Sequence, residues 1–275
     1  MLNFPIYQVD AFTSRLFGGN PAAVVPLPEF FPDELLQQIA TENNLSETAF
    51  VVVRGRGKFF IRWFTPTAEV RLCGHATLAA AHVMFHSGNG QFSEMKFKTT
   101  GAGTLTVRPG SRDGEYQMDF PADQPQKVKG GKADAELGLR NILGVKRLHG
   151  VYRGQDDLMV ILRSQKQVEG LDVDFRALAK LTQYRGLLVS APGKKVDFVS
   201  RCFFPQTGID EDPVTGSAHT LLTPYWSSRL GKKTLIARQL SERGGDLKCQ
   251  LRGKKIRLTG RAVTYLSGQI HLTDH

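Results

Sequence analysis

The chain reads as one half written twice. Arg62-Trp63-Phe64-Thr65-Pro66 returns as Arg201-Cys202-Phe203-Phe204-Pro205, and Ile39, Ala40 and Phe50 return as Leu178, Ala179 and Val189, all at an offset of 139 residues. Further on, Gly103-Thr104-Leu105-Thr106-Val107 matches Gly245-Asp246-Leu247-Lys248-Cys249 at an offset of 142, so the second copy carries three extra residues after Pro205. The insertion is expected in the stretch that includes Asp210-Glu211-Asp212-Pro213. Matches that keep their order indicate duplication, and a period near half the chain means two similar lobes rather than a solenoid. Related lobes commonly enclose a cleft, where small molecules bind. The expected division is an N-terminal lobe over 1–122, completed by the C-terminal strand 262–275, and a second lobe over 123–261.

A chain of 275 residues can bury the two cores this requires. The N-terminus, Met1-Leu2-Asn3-Phe4-Pro5, lacks a basic segment followed by an apolar one, and no run approaches the ~18 apolar residues of a spanning helix. A cytoplasmic location with no membrane contact is expected. Cys73, Cys202 and Cys249 are odd in number and show no C-x-x-C spacing, so neither a disulfide framework nor a zinc site is indicated. The net charge of +10 raises a nucleic-acid reading. Its distribution counters it: the lysines and arginines of Lys127–Lys132, Lys194-Lys195, Lys232-Lys233 and Arg252–Lys255 sit mostly beside glycines and without interleaved aromatics. No nucleic-acid partner is expected, and the charge serves solubility or weak attraction of anionic substrates.

Strands are expected at Tyr7–Phe12, Ala22–Leu27, Phe50–Val53 and Lys58–Phe64, with a helix over Asp33–Asn43. An alanine-rich helix, Ala76–Phe85, follows Cys73-Gly74-His75, and Glu94–Phe120 alternates as two or three strands. The second copy repeats the order, with strands at Leu158–Leu162, Gly186–Val189 and Val196–Phe204, a helix over Asp174–Leu181, another opening at Gly216-Ser217, and a strand-rich tail to Ile270. Pro121–Gly131 is the expected crossing between lobes. Mixed sheets, each paired with a long helix, give an α+β architecture.

Each long helix starts on small residues, Cys73-Gly74-His75-Ala76-Thr77 and Thr215-Gly216-Ser217-Ala218-His219. Unpaired N–H groups and the helix dipole there suit a carboxylate or an enolate; alternatively each glycine only permits a tight turn. Glu47 precedes an apolar strand, so partial desolvation suits it to general acid or base work, whereas Ser46-Glu47-Thr48 as plain backbone caps is the competing account. Asp212, tied by Pro213 five residues before Ser217, would bring a carboxylate and a hydroxyl to one helix mouth, or would only complement the dipole. Of the two histidines near these mouths, His75 is the functional candidate and His219 a structural one. Cys202 and Cys249 lie in strand-like stretches and are expected in the core.

Several strings together resemble the PhzF family, the phenazine-biosynthesis-like isomerases. They are Gly19-Asn20-Pro21-Ala22-Ala23-Val24, Asn44-Leu45-Ser46-Glu47-Thr48-Ala49-Phe50, Phe64-Thr65-Pro66 with Glu69-Val70 and Cys73-Gly74-His75-Ala76-Thr77, Gly208 to His219, and Gln239-x-Ser241-x-Arg243-Gly244-Gly245. The resemblance implies a diaminopimelate-epimerase-like fold, with two pseudo-symmetric lobes each wrapping a sheet around a central helix. It implies a homodimer and proton transfer without cofactor or metal on a small carboxylate-bearing substrate, which in the phenazine enzyme is 2,3-dihydro-3-hydroxyanthranilate. The family's acid/base glutamate maps to Glu47 and its supporting residues to His75, Asp212 and Ser217. Gly74 and Gly216 would offer N–H groups to the substrate carboxylate, and Asn20 and Thr215 complete the expected substrate-binding set. Related racemases carry a cysteine before each helix glycine; here Cys73 stands before Gly74 but Thr215 before Gly216. One-base isomerisation is therefore expected over two-base racemisation through Cys73, and a non-catalytic binding homologue is the third possibility.

Overall fold

The computed structural model describes residues 2–87, 92–101, 103–128 and 137–272. Part of the expected crossing Pro121–Gly131 and of the basic run Lys127–Lys132 lies outside these residues. The chain forms two compact units, residues 1–120 with 258–275, and residues 121–257.

In chain order the first unit contains β1 (Leu2–Ala11), β2 (Asn20–Leu27), α1 (Asp33–Asn43), β3 (Glu47–Gly55), β4 (Lys58–Phe64), β5 (Glu69–Val70), α2 (Gly74–Ser87), β6 (Met95–Lys98), β7 (Thr104–Pro109) and β8 (Glu115–Pro121). The second contains β9 (Gln126–Lys127), α3 (Leu139–Ile142), β10 (Gly150–Arg153), β11 (Asp157–Ile161), α4 (Gln165–Glu169), α5 (Phe175–Leu178), β12 (Gly186–Pro192) and β13 (Phe198–Phe204). It continues with a 3₁₀ turn at Pro205–Thr207, β14 (Ile209–Asp212), α6 (Gly216–Leu230), β15 (Thr234–Gln239) and β16 (Gly245–Arg252). The last strand, β17 (Lys255–Leu272), returns the chain to the first unit.

In the first unit β2 runs antiparallel to β1 and parallel to β3, β4 antiparallel to β3 and parallel to β6, and β7 antiparallel to β6 and β8. Strand β17 pairs with both β8 and β1, so the ladder returns to its start. The second unit repeats the succession: β11 is antiparallel to β10 and parallel to β12, β13 antiparallel to β12 and parallel to β15, and β16 antiparallel to β15. Within each unit one long helix has almost no polar face. Residues 75–84 of α2 are all buried, and α6 is buried from Gly216 to Ser227 except at Ser217, Thr220 and Tyr225. A helix buried around nearly its whole circumference must be enclosed by its surroundings, and the alanines of α2 let strands approach closely.

Helix α1 follows ordinary rules. Asp33 and Glu34 occupy its positive first turn, Leu36, Ile39 and Ala40 form its buried stripe, and Asn44 ends it in the left-handed region, donating its N–H to Ala40 O. Its counterpart is shorter than the expected helix over Asp174–Leu181. Asp174 caps α5 by accepting from Ala177 N at 2.9 Å, but after Ala179 the backbone bonds tighten to the i−3 kind, and Gln206 Nε2 donates to the carbonyls of Leu178 and Leu181. Carbonyls satisfied from outside remove the gain from continuing the helix.

The register also corrects the position of the insertion. Trp63 faces Val70 across β4 and β5, and Cys202 faces Asp212 across β13 and β14. Arg62 grips Glu69 through Nε and Nη2, at 2.8 and 2.7 Å, and Arg201 grips Glu211 in the same bidentate way at the same distances. Glu211 is therefore the counterpart of Glu69 at an offset of 142, and the extra residues enter upstream of it, in the 3₁₀ turn that closes on Gly208 at φ 84°. Asp212–Gly216 has the same length as Val70–Gly74, so the stretch from Asp212 to the helix gains new side chains without a change of length.

Candidate active site

In the first unit three elements converge on one imidazole. Glu47 opens β3, Asn20 opens β2, and His75 follows the glycine that starts α2. Glu47 Oε2 lies 2.9 Å from His75 Nε2, the two side chains being 12% and 6% exposed. On the other side of the ring, Nδ1 stands 3.1 Å from Asn20 Nδ2 and 3.5 Å from Cys73 Sγ. As placed, the amide donates to Nδ1 and suits a neutral ring that carries its proton on Nε2, the nitrogen nearest Glu47. Turning the amide over presents its oxygen and suits the imidazolium, so Asn20 serves either form.

Burial works against charge on His75, but its acidic neighbours Cys73 and Glu47 outweigh it and hold the ring's pKa well above its ordinary value. Burial, with the Glu47 charge adding to it, pushes the Cys73 thiol up to about 11. Cys73 is thus a neutral thiol near pH 7. Glu47, Cys73 and His75 present donor atoms within 4.8 Å of one another, a set with metal-ligand chemistry. Two donors on one zinc ion, each at about 2.1 Å, would stand roughly 3.4 Å apart. The 2.9 Å Glu47–His75 separation is instead that of a direct ion-pair contact, and carboxylate and thiol are nearest to different ring nitrogens.

In the second unit the turn Asp212-Pro213-Val214-Thr215 leads into α6. Thr215 Oγ1 donates to Asp212 Oδ2, and the fully buried Gln239 accepts from Thr215 N at 2.9 Å while donating to Asp212 O at 2.6 Å and Thr215 Oγ1 at 3.3 Å. Ser241 Oγ donates to Pro213 O at 2.6 Å, and His219 Nδ1 donates to Thr215 O at 2.8 Å. Burial lowers the His219 pKa to about 4, which keeps it neutral, in the structural part expected of it. With its hydroxyl turned to Asp212 and Gln239, Thr215 places no side-chain cap on α6.

Ser217 takes a different partner. Arg185 Nη2 donates to Ser217 Oγ at 3.2 Å, and the same guanidinium holds Asp157 through Nε to Oδ1 at 2.9 Å and Nη2 to Oδ2 at 2.5 Å. Burial raises the Asp157 pKa from its ordinary value, and Arg185 opposes that shift. Each unit thus gathers its own set: Asn20, Glu47, Gly74 and His75 in the first, Asp212, Thr215, Gly216 and Ser217 in the second. Sequence reasoning missed Arg185, Asp157 and the clamp made by Gln239. Cys202 and Cys249 are buried core residues.

Residues 9–268 match the family model described as phenazine biosynthesis-like protein, PhzC-PhzF. The chain belongs to this family. It is 47% identical to a Pseudomonas aeruginosa protein named an uncharacterized isomerase, over 99% of this chain and 100% of that one. A crystal structure of a PhzF-family phenazine biosynthesis protein from Enterococcus faecalis superposes with TM-score 0.90 at 41% identity, covering 98% of this chain and 100% of the other. The α+β fold extends to a Pseudomonas aeruginosa structure described as a predicted epimerase, with TM-score 0.76 at 19% identity over 98% and 100% of the two chains. Among the described residues, no helix is long and apolar enough to cross a membrane.

Proposed function

We propose that this PhzF-family member is an isomerase that moves a proton between carbons of a small carboxylate-bearing substrate, without a cofactor, through Glu47. The observation that carries this reading is the Glu47–His75 contact at 2.9 Å, beside a cysteine that stays protonated. A carboxylate backed by an imidazole can take a proton from carbon and return it at another. Proton removal leaves negative charge spread toward the substrate's carboxylate, and N–H groups that meet this charge lower the barrier. Gly74 and Gly216, each at the start of a long buried helix, supply such groups, and Ser217 adds a hydroxyl. The absence of a side-chain cap from Thr215 on α6 suits an anionic substrate group in that place. Thr215, expected as a substrate contact, also holds Asp212 through its hydroxyl.

A cysteine held protonated before Gly74, and a threonine rather than a cysteine before Gly216, favour isomerisation over two-base racemisation. The test is deuterium incorporation from heavy water, followed by NMR, into dihydro-hydroxyanthranilate, diaminopimelate and proline, with wild type and Glu47→Gln. Glutamine keeps the shape but cannot shuttle a proton, so exchange should vanish in the variant. Exchange that survives Glu47→Gln would overturn the proposal.

A further inference from the structure

The duplication sets the two units' helix entries side by side in sequence. At offset 139 Glu47 corresponds to Gly186, and at offset 142 His75 corresponds to Ser217. Glutamate has no counterpart at 186 for a steric reason. A β-carbon on Gly186 would stand 2.2 Å from Cδ1 of Phe204 and 2.7 Å from the backbone oxygen of Phe203. The second unit uses the preceding residue instead: Arg185, with its guanidinium 5.4 Å from the Phe204 ring centroid, reaches Ser217 Oγ. Where the first unit sets carboxylate against imidazole, the second sets guanidinium against hydroxyl.

A guanidinium carries N–H groups and no acceptor. In its contact with Arg185, Ser217 Oγ can only accept, and its own proton is left to point elsewhere. The fork is fixed from behind, because Asp157, 6% exposed, takes both Nε and Nη2, while Arg185 itself is 39% exposed. Asp157 gains this position by opening β11, whose remaining residues Leu158–Ile161 are all buried and draw its carboxylate inside.

We infer that Arg185, oriented by Asp157, is a positioning residue that turns the proton of the Ser217 hydroxyl toward the substrate's carboxylate. The inference rests on the reading above that Ser217 meets that carboxylate. It assigns the second unit to anion recognition and explains why an arginine stands where the first copy has Ser46.

The test is calorimetric binding of benzoate and succinate, with benzamide and succinamide as uncharged controls. The proteins are wild type, Ser217→Ala, Arg185→Met, Arg185→Lys and Arg185→Met/Ser217→Ala. Losing one oriented donor should weaken carboxylate binding about fivefold to tenfold in Ser217→Ala and in Arg185→Met. The double variant should be no weaker than Ser217→Ala alone, because Arg185 acts through Ser217. Arg185→Lys guards against a folding defect: it leaves a cation beside Asp157 but cannot span both partners, and should bind like Arg185→Met. The controls should not change across the set. Additive losses, unaltered binding in Ser217→Ala, lysine rescue, or no carboxylate binding by wild type would each overturn the inference. Catalysis plays no part in this readout, so failure here and failure of the Glu47 exchange test are told apart.

Discussion

Sγ of Cys73 lies 3.5 Å from Nδ1 of His75, within reach of a thiolate–imidazolium pair, and yet the thiol is held back from ionising. Burial and the neighbouring Glu47 charge raise its pKa to about 11. Cys73→Ser should therefore keep the initial rate of deuterium incorporation within about threefold of wild type. Removing a true general base would cost on the order of a hundredfold or more. A loss of that size in Cys73→Ser, with Glu47→Gln unaffected, would move the chemistry to the cysteine.

Gln239 is the brace of the turn that carries Asp212. Its amide uses donor and acceptor ends at once, on Asp212 O, Thr215 Oγ1 and Thr215 N, in a place with no solvent access. Gln239→Ala leaves a buried N–H and a buried C=O without this partner and opens a cavity, which should destabilise the protein by about 2–4 kcal/mol. Urea unfolding measures this. A change below about 0.5 kcal/mol would show that the turn holds itself, the size typical of a surface substitution.

What was legible in the sequence followed from local pattern and from the duplication. The stripe Leu36, Ile39, Ala40 and the acids at 33 and 34 mark α1, and the small-residue entries mark the starts of α2 and α6. Glu47 and His75 were legible as motif residues, but their 2.9 Å contact was not, since it joins the start of a strand to the start of a helix 28 residues on. Nothing local in the sequence sets Arg185 apart from the other cations of a basic chain. The signal that could have found it is Asp157, an acid opening an otherwise apolar strand, which needs a cation once buried. The expected helix over 174–181 failed for a similar reason: the carbonyls that end it are taken by Gln206, remote in sequence.

Gly186 should tolerate no side chain. An added β-carbon meets the Phe204 ring at 2.2 Å, which side-chain motion could relieve, and the Phe203 carbonyl oxygen at 2.7 Å, which only a backbone shift could relieve. Gly186→Ala should cost about 1–3 kcal/mol, the usual range for overpacking a buried site. Thermal melts of this variant beside Gly208→Ala, where φ is 84° but nothing lies within 4 Å of the added carbon, separate steric clash from backbone strain. An unchanged melting temperature for Gly186→Ala would remove the steric account of why the second copy lacks a glutamate.

Three buried histidines set the expected dependence of stability on pH, with opposite signs. His82, bonded to Tyr116 and Thr264, and His219 have folded pKa values lowered to about 4 by burial, His86 adding to the effect at His82. Their unfolded value is about 6.5, so each contributes stability that is present above that pH and is lost as pH falls toward 4. Unfolding should take up about two protons from this pair across that window. His75 has a folded pKa raised above the unfolded one, so its contribution is complete below about pH 6.5 and is lost as pH rises through the folded value. Urea unfolding from pH 4 to 9 should show a loss on both sides of neutrality. His219→Asn keeps a donor for Thr215 O, since the asparagine amide nitrogen stands where Nδ1 did, and should remove one proton from the acid slope. His75→Gln keeps a donor for Glu47 and should flatten the alkaline limb while leaving the acid one in place. An alkaline limb unchanged in His75→Gln would show that the imidazole facing Glu47 is not charged in the folded protein.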